Sequence, residues 1–267
     1  MKKQSKQVVI ITGASSGIGK ATAQLFVTKG YNVYGVARRD FSIDGVNAVL
    51  GDITQPEDID RIVTYVMGRE GKIDLIINNA GCGISGSVEF TDSQEVKRLF
   101  DVNFMGAVNF NQRLLPIFRK QKSGKIINIS SVGSFIPLPF QAFYSASKAA
   151  LCSYAKALRQ EVKPFNIKVT NVLPGDIKTG FTASRKKSTL DTQGVYKDRE
   201  EKSISRMEKD EQNGMDPIRV AKVVYKLAKS KNPPPKKVVG AMYKLISFLA
   251  KILPEKFVLW VVSKLYA

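Results

Sequence analysis

The sequence contains no histidine, and its two cysteines, Cys82 and Cys152, lie far apart. The absence of histidine excludes Ser-His-Asp and Cys-His nucleophile systems and every imidazole-based metal site, so we expect no bound metal. Two distant cysteines without Cys-x-x-Cys spacing are typical of free thiols in a reducing compartment. Any general acid in this protein must therefore be a tyrosine, a lysine or a carboxylate.

Long apolar runs are absent as well. No stretch approaches the roughly 18 uncharged apolar residues that a membrane-spanning helix requires. The chain passes from Met1-Lys2-Lys3 into an apolar run at residues 8–11 and then a glycine-rich turn, which predicts a buried strand and not a signal peptide. These features predict a cytoplasmic protein.

Acidic residues are scarce relative to basic ones. The 267 residues include 42 Lys and Arg but 23 Asp and Glu, a formal net charge of +19. Residues 217–267 contain eleven basic side chains and one acid, Glu255. Such a surface attracts phosphorylated cofactors, anionic lipid or nucleic acid. Because no nucleic-acid recognition motif accompanies the charge, we expect no nucleic-acid partner.

The alternation of short apolar runs with helical patterns predicts the fold. Runs rich in Val and Ile occupy residues 8–12, 32–37, 46–50, 73–78, 125–130, 167–172 and, more weakly, 236–240. Helical patterns occupy residues 19–30, 56–70, 92–120 and 144–164. Apolar runs that do not alternate with polar residues indicate strands buried on both faces. We therefore predict one α/β domain over residues 1–267, with a Rossmann-type doubly wound parallel sheet of about seven strands and helices on both faces.

Two segments interrupt this rhythm. Residues 182–214 are charged and poor in apolar side chains, and they predict a mobile helical excursion over the site, which we name the substrate lid. Residues 238–267 follow a proline-rich linker and form a basic, apolar helical tail. A basic amphipathic helix can lie on an anionic membrane surface, whereas most amphipathic helices in soluble chains pack on protein. We favour packing of the tail on a partner subunit or at the pocket mouth, with peripheral membrane contact as the alternative.

A glycine-rich loop opens the first predicted helix. Glycines in Thr12-Gly13-Ala14-Ser15-Ser16-Gly17-Ile18-Gly19 follow a buried strand, where they let the backbone turn tightly and approach a pyrophosphate at a helix N-terminus. An ordinary strand-to-helix turn is the alternative, but the context on both sides favours a dinucleotide site. Its candidate contacts are Gly13, Ser15, Ser16, Gly17, Ile18 and Gly19.

A second group of residues is suited to proton transfer. A free phenol has a pKa near 10, and a nearby cation favours the phenolate. Lys148 follows Tyr144 by one helical turn and therefore lies on the same face. Ser131, at the end of the fifth main strand, can donate a hydrogen bond to a substrate oxygen as charge develops. Ser130 is the competing candidate; the thirteen-residue interval to Tyr144 favours Ser131.

Taken together, the glycine loop, Asn78-Asn79-Ala80-Gly81 and the Ser131, Tyr144 and Lys148 spacing resemble the short-chain dehydrogenase/reductase family over residues 7–181. The resemblance implies hydride transfer between a nicotinamide cofactor and an alcohol or ketone. It also implies that Lys148 binds the nicotinamide ribose, that Asn103 holds a water for proton relay, and that the protein is a homo-oligomer.

Cofactor contacts follow from the same resemblance. An acid at the end of the second strand would serve a ribose 2′-hydroxyl, but this chain has Arg38 and Arg39 there, and a guanidinium can pair with a 2′-phosphate. We therefore predict NADP(H), with Arg38 on the phosphate. A surface charge paired with Asp40 is the alternative. The remaining implied contacts are Asp52, Ile53, Asn79, Ala80, Gly81, Pro174, Gly175, Ile177 and Thr179, together with Tyr144 and Lys148.

The substrate is less well specified. Apolar side chains before and after the Tyr144 region predict a lipophilic alcohol or ketone, and the sequence resembles the hydroxysteroid, retinol and acyl-dihydroxyacetone-phosphate reductase branches. These side chains could equally belong to the core. A non-catalytic nucleotide-sensing or scaffold protein that retains the fold is the alternative function; the intact Asn103, Ser131, Tyr144 and Lys148 set speaks against it.

Overall fold

The computed structural model describes residues 6–188, 191 and 193–266. The parts of the predicted N-terminal segment, lid and tail that fall on residues 1–5, 189, 190, 192 and 267 lie outside the described residues. The strands are β1 Val8–Thr12, β2 Asn32–Ala37, β3 Val46–Leu50, β4 Leu75–Asn78, β5 Ile84–Ser85, β6 Gly124–Ile129, β7 Ile167–Pro174, β8 Lys186–Lys187 and β9 Lys236–Val239. The helices are α1 Gly17–Thr28, α2 Pro56–Glu70, α3 Ser93–Phe100, α4 Gly106–Gln121, α5 Ala142–Glu161, α6 Phe181–Ser184, α7 Lys197–Gln212, α8 Pro217–Lys229, α9 Ala241–Ile252 and α10 Glu255–Tyr266.

Seven strands form one parallel sheet in the order β3-β2-β1-β4-β6-β7-β9. The strand order reverses between β1 and β4, and ligands of open α/β sheets bind at such a reversal, beyond the carboxyl ends of the strands. The predicted doubly wound parallel sheet is confirmed. Its central strands are buried and mostly apolar because helices cover both faces.

Two apolar cores lie on opposite faces of the sheet. One joins α2, α4 and α5 and includes Ile59, Phe110 and Leu158. The other joins α1 and α8 and includes Phe26 and Val224. The sheet is therefore held from both sides, so that the ends of its strands are fixed relative to one another.

A row of buried asparagines runs across the sheet just below the site. Asn78, Asn128 and Asn171 occupy matching positions on β4, β6 and β7. The Asn78 amide donates to Asn128 at 2.9 Å, and the Asn128 amide donates to Asn171 at 3.1 Å. Hydrogen bonds between buried side chains on neighbouring strands favour one strand register. This network aligns the three strand ends from which the active-site loops leave.

The boundaries differ from the sequence prediction in several places. The helix predicted over residues 92–120 is α3 and α4 joined by a π-helical turn, Asp101–Met105. The fourth main strand begins at Leu75, two residues later than predicted. The two-residue strands β5 and β8 pair with each other outside the main sheet, and segments this short carry no periodic pattern that a sequence can reveal.

The lid and the tail meet at the edge of the site. Helix α7 forms the predicted helical excursion. The tail forms α9 and α10, whose Tyr243 and Tyr266 hydroxyls donate to Asp176 and to Asp210 of α7. The tail thus packs on protein beside the pocket mouth. Across the described parts of the chain, no helix combines the length and the apolar character needed to cross a bilayer.

Candidate active site and cofactor crevice

The glycine loop and the end of β4 fit closely together. Gly13 has a φ of 66°, in the left-handed region that glycine adopts without strain. A Cβ at Gly19 would lie 2.1 Å from the Gly13 carbonyl oxygen and 2.5 Å from the Asn79 amide nitrogen. The Asn79 amide donates to the Thr12 carbonyl at 2.9 Å. The loop is therefore closed around Asn79, with the N-terminus of α1 directed at the crevice.

Thr12 has a positioning role that sequence reasoning missed. Its buried hydroxyl accepts hydrogen bonds from the backbone N–H groups of Asn79 and Ala80, each at 3.0 Å. This one side chain ties the start of the Asn79-Ala80-Gly81 segment to the glycine loop. Thr12 stands first in the glycine-loop motif, but a threonine at the end of a buried strand is common, so the sequence alone assigned it no role of its own.

Arg38 lies where a phosphate could reach it. Its exposed side chain lines a cleft of about 330 Å³ at the ends of β2 and β3, together with Asp52, Asp58 and Arg61. Arg61, which the sequence prediction did not include, pairs with Asp58 at 2.6 Å and donates to the Leu50 carbonyl. Arg39 is exposed but does not line this cleft. Two guanidinium groups thus border the cleft. That of Arg61 is already paired with Asp58 and the Leu50 carbonyl.

The two predicted adenine contacts, Asp52 and Ile53, differ in how far their side chains are buried. Asp52 is half-buried, and one carboxylate oxygen accepts from the Thr54 N–H and hydroxyl, each at 2.9 Å. The Ile53 side chain is buried in the core against Gly106, where a Cβ would lie 2.5 Å from Ile53 Cδ1. Any contact of Ile53 with a cofactor would therefore come from its backbone.

Ser131 and Ser130 take different roles. Ser130 is buried, and its hydroxyl donates to the Lys148 carbonyl at 3.1 Å and accepts from Cys152. Ser131 is partly exposed, and its side chain acts to lower the pKa of Tyr144. Its oxygen also accepts from the Gly133 N–H at 3.0 Å. The geometry favours Ser131 as the group that faces a substrate and makes Ser130 a structural residue.

Tyr144 and Lys148 lie together on α5, as their spacing predicts. Burial raises the pKa of Tyr144 to about 12, and the hydrogen bond with Ser131 acts in the opposite direction. Burial lowers the pKa of Lys148 to about 8. The expectation that the Tyr144 pKa is lowered is therefore corrected in this arrangement, because removal from water outweighs the lowering contributions of Ser131 and Arg185. At neutral pH the phenol is protonated and available as an acid.

Asn103 holds the loop that follows β4. Its side chain accepts from the Cys82 N–H at 2.8 Å and donates to the Cys82 carbonyl at 3.0 Å. It also donates to the Ser147 hydroxyl at 3.1 Å. Asn103 lies in the π-helical turn, a local widening that is frequent at functional sites. A Cβ at Gly81 would lie 3.2 Å from Asn103 Oδ1 and 3.3 Å from Lys148 Nζ, so Gly81 separates these two groups.

The segment after β7 completes the crevice. Thr179 lies against the glycine loop, since a Cβ at Gly17 would be 3.2 Å from Thr179 Cγ2. Ile177 is buried, and its backbone bridges to Met215. Asp176, which the sequence had left without a role, accepts a hydrogen bond from Tyr243, and its burial raises its pKa. The residues predicted to hold a nicotinamide carboxamide thus lie beside the residues predicted to hold a pyrophosphate.

The substrate side carries a buried ion pair that the sequence prediction missed. Phe181 is the first residue of α6, and its ring centre lies 5.7 Å from that of Tyr144. Arg185 directly follows α6, and its guanidinium carbon lies 5.9 Å from the centre of the Phe181 ring. Arg185 pairs with Glu211 of the lid helix, and its side chain is fully buried. Apolar and aromatic surface next to Tyr144 is compatible with a lipophilic substrate.

The sequence and the fold are both similar to those of known proteins. The family model described as short chain dehydrogenase matches residues 7–189. A 3-ketodihydrosphingosine reductase from Bacteroides thetaiotaomicron is 40% identical over 264 residues, which cover 98% of each chain. An NADPH-dependent 1-acyldihydroxyacetone phosphate reductase from Saccharomyces cerevisiae is 34% identical over 69% of this chain and 66% of that protein. The crystal structure of a short-chain dehydrogenase from Streptomyces avermitilis, 30% identical, has a TM-score of 0.81 and covers 94% of this chain and 96% of that one.

Proposed function

This chain belongs to the short-chain dehydrogenase/reductase family, and we propose that it is an NADPH-dependent enzyme that reduces the ketone of a lipophilic, acyl-like substrate to a secondary alcohol. The observation that supports the proposal is that Ser131 and Lys148 lie close to Tyr144, whose burial raises the pKa of its phenol. A neutral phenol can give a proton to a ketone oxygen as the carbonyl is reduced.

Each side chain has a role in this reaction. When bound, the reduced nicotinamide supplies the hydride. Ser131 donates a hydrogen bond to the substrate oxygen and holds it near Tyr144. Tyr144 delivers the proton to that oxygen. Lys148 orients the cofactor ribose, and its positive charge favours the phenolate that remains on Tyr144. Asn103 holds the loop at Cys82 and connects it to Ser147 on α5.

NADPH is preferred over NADH in this proposal because of the end of β2. The chain has a basic residue, Arg38, where an acid would accept hydrogen bonds from a free ribose 2′-hydroxyl. Arg38 borders the cleft at that position, and a guanidinium can bind a phosphate through two parallel donors. The family as a whole uses either nicotinamide cofactor, so the choice rests on this side chain and its surroundings.

A long-chain ketone is the substrate class that we favour among lipophilic compounds. The Bacteroides and Saccharomyces relatives are both named as reductases of ketones on lipid molecules. The first of these covers nearly the whole chain, including the lid and the tail. Phe181 beside Tyr144 supplies an apolar surface for such a molecule. We also propose that the protein works in the cytoplasm, as the sequence predicts, and that it is a homo-oligomer, a dimer or tetramer.

A substrate panel tests this proposal. The purified protein would be incubated with NADPH or NADH and with a long-chain 3-keto base, an acyl-dihydroxyacetone phosphate, a steroid ketone or a sugar ketone. We expect NADPH consumption with the long-chain ketones and little with the sugar. NADH preferred at equal concentrations would contradict the cofactor assignment. Preference for the sugar would contradict the substrate class, and no turnover with any ketone would favour a non-catalytic role.

A further inference from the structure

The C-terminal helix pair, residues 241–252 and 255–266, exposes an unusual amount of apolar surface. Of the fifteen large apolar side chains that are exposed in the described chain, nine belong to this pair: Met242, Leu245, Phe248, Leu249, Ile252, Phe257, Leu259, Trp260 and Leu265. Scattered apolar residues on a surface are normal, but a concentration of this kind marks an interaction site. The pair therefore has an outer surface that no described part of the chain covers.

The exposed residues of α9 form one stripe. Met242, Leu245, Leu249 and Ile252 recur at helical spacing, and Phe248 at 60% exposure lies beside them. On α10, Phe257 and Trp260 stack with ring centres 5.9 Å apart, and Trp260 is 56% exposed. The opposite side of the pair is anchored to the protein through Tyr243, Ser247, Val262 and Tyr266. The helices are thus held in place with an apolar side outward.

Lysines accompany this apolar surface. Lys236, Lys237, Lys244 and Lys251 line a cleft of about 220 Å³ next to α9, and no acidic residue lines it. Lys256 and Lys264 are exposed on α10. Partial burial lowers the pKa of Lys236, and the nearby Lys251 lowers it further. Such a concentration of cations would be relieved by an anionic ligand.

We propose that the C-terminal helix pair docks on the surface of an anionic phospholipid bilayer, with its apolar side chains below the headgroups and its lysines at the lipid phosphates. A basic amphipathic helix with aromatic residues lies in a bilayer in this way. Each helix has twelve residues and is about 18 Å long at 1.5 Å per residue, so the pair would lie along the surface. This inference goes beyond the proposed reaction and does not depend on it.

Charge decides between a bilayer and a second copy of the chain. If two copies met through this same surface, the lysines of one helix pair would face those of the other, with one acid in each pair, Glu255, to offset them. Anionic lipid is complementary to the same lysines, at a gain that grows with each basic residue near the membrane. The tail prediction is thus revised in part, because the helices pack on the protein through one side and offer the other side to lipid.

Vesicle flotation of the full-length protein tests the proposal directly. Vesicles of neutral phosphatidylcholine would be compared with vesicles containing phosphatidylglycerol, at physiological and at high salt. We expect flotation with the anionic vesicles, less with the neutral ones, and loss of binding as salt screens the charges. Trp260 is the only tryptophan, so its fluorescence should shift to shorter wavelength on binding without any added label.

Variants separate the lipid surface from general basicity. Lys244→Glu with Lys251→Glu should weaken vesicle binding by at least about tenfold, since two cations near the membrane become anions. Lys120→Glu with Lys163→Glu changes the net charge equally at exposed lysines outside the tail and should change binding much less. Phe248→Ser should weaken vesicle binding while keeping the fold, because the Phe248 side chain points outward and is 60% exposed.

Three results would overturn the proposal. The first is an absence of flotation with anionic vesicles even at low salt. The second is equal weakening by the tail and the control charge reversals, which would show nonspecific attraction. The third is a dimer in solution that Phe248→Ser converts to a monomer, which would assign the surface to a second copy. None of these measurements uses turnover, so failure here is distinct from failure of the proposed reaction.

Discussion

Lys148 Nζ lies 5.9 Å from the centre of the Tyr144 ring and donates its hydrogen bond to the Ile129 carbonyl at 3.1 Å. The two side chains are neighbours on one helical face, yet the lysine is held by the end of β6. Burial therefore acts on each group separately, raising the pKa of the phenol and lowering that of the amine. The Tyr144 phenol is therefore protonated at neutral pH, and Lys148 loses its charge as the pH rises through about 8.

Tyr144→Phe should lower kcat by at least about a hundredfold, the scale of losing a positioned proton donor. The ring still packs against Phe181, so the fold and NADPH binding should persist. Tyr154→Phe on the same helix is the matched control; its hydroxyl accepts from Asn111 at 3.4 Å, away from the proposed reaction. Steady-state turnover and cofactor titration check the prediction. Near-normal turnover in Tyr144→Phe would remove Tyr144 from the mechanism.

Arg38→Asp should move the cofactor preference from NADPH toward NADH. The change removes a phosphate partner and adds an acid that can serve a ribose hydroxyl. Charge-assisted hydrogen bonds are worth about 1.5–3 kcal/mol, which corresponds to a roughly ten- to hundredfold change in kcat/KM. Arg39→Asp carries the same charge change outside the cleft and should have a smaller effect. An unchanged ratio of the two cofactors in Arg38→Asp would make Arg38 an ordinary surface charge.

Reductive activity should fall in alkaline solution. The proposed reaction needs a neutral Tyr144 and a cationic Lys148. The Tyr144 pKa of about 12 keeps the phenol protonated over the usual range, whereas the Lys148 pKa of about 8 means that its charge is lost as pH rises through that value. We expect kcat/KM to be level near neutrality and to decline above about pH 8. Thermal midpoints recorded at each pH will separate this decline from unfolding; activity that rises from pH 7 to 9 would argue against it.

Lys148→Met should stabilise the folded protein at pH 7 while it abolishes efficient turnover. The Lys148 pKa falls from an ordinary 10.5 to about 8 on folding, so between these values the unfolded chain binds the extra proton. The buried charge therefore costs stability below about pH 8, and that cost is relieved as pH rises toward 10.5. A thermal midpoint higher by a few degrees is expected.

Lys156→Met is the control for this stability effect, because Lys156 is exposed on the same helix. It should leave both the thermal midpoint and the turnover close to those of the unaltered protein. If Lys148→Met lowers the midpoint at pH 7, the hydrogen bond to Ile129 outweighs the cost of burying the charge.

Gly175→Ala should weaken NADPH binding. A Cβ at Gly175 would lie 2.2 Å from Cε2 of the Tyr243 ring, so either the ring or the loop must move and the Tyr243 bond to Asp176 is strained or lost. We expect a severalfold rise in KM for NADPH and a lower thermal midpoint. Gly180→Ala is the comparison, since no atom of the described residues lies within 4 Å of a Cβ at that glycine. Equal behaviour of the two variants would show that the tail does not support this loop.

The sequence by itself determined the sheet, the glycine loop and the spacing of Ser131, Tyr144 and Lys148. These features are local: buried strands require unbroken apolar runs, tight turns require glycine, and a four-residue interval places two side chains on one helical face. The role of Arg38 rested on its place after β2 together with the family resemblance, and it stays a prediction. Reasoning from local patterns reached its limit at short strands and at the π-helical turn around Asn103, which leave no regular pattern in the sequence.

Only the tertiary structure decided what surrounds those residues. Thr12 meets Asn79 and Ala80 across 67 and 68 positions, and Tyr243 meets Asp176 across 67. Burial is a property of the assembled fold, so the direction of the Tyr144 and Lys148 pKa shifts could not be read from their spacing. The same holds for the C-terminal helix pair: its apolar residues were visible in the sequence, but which of them face outward depends on how Tyr243 and Tyr266 fasten the helices to the lid and the crevice.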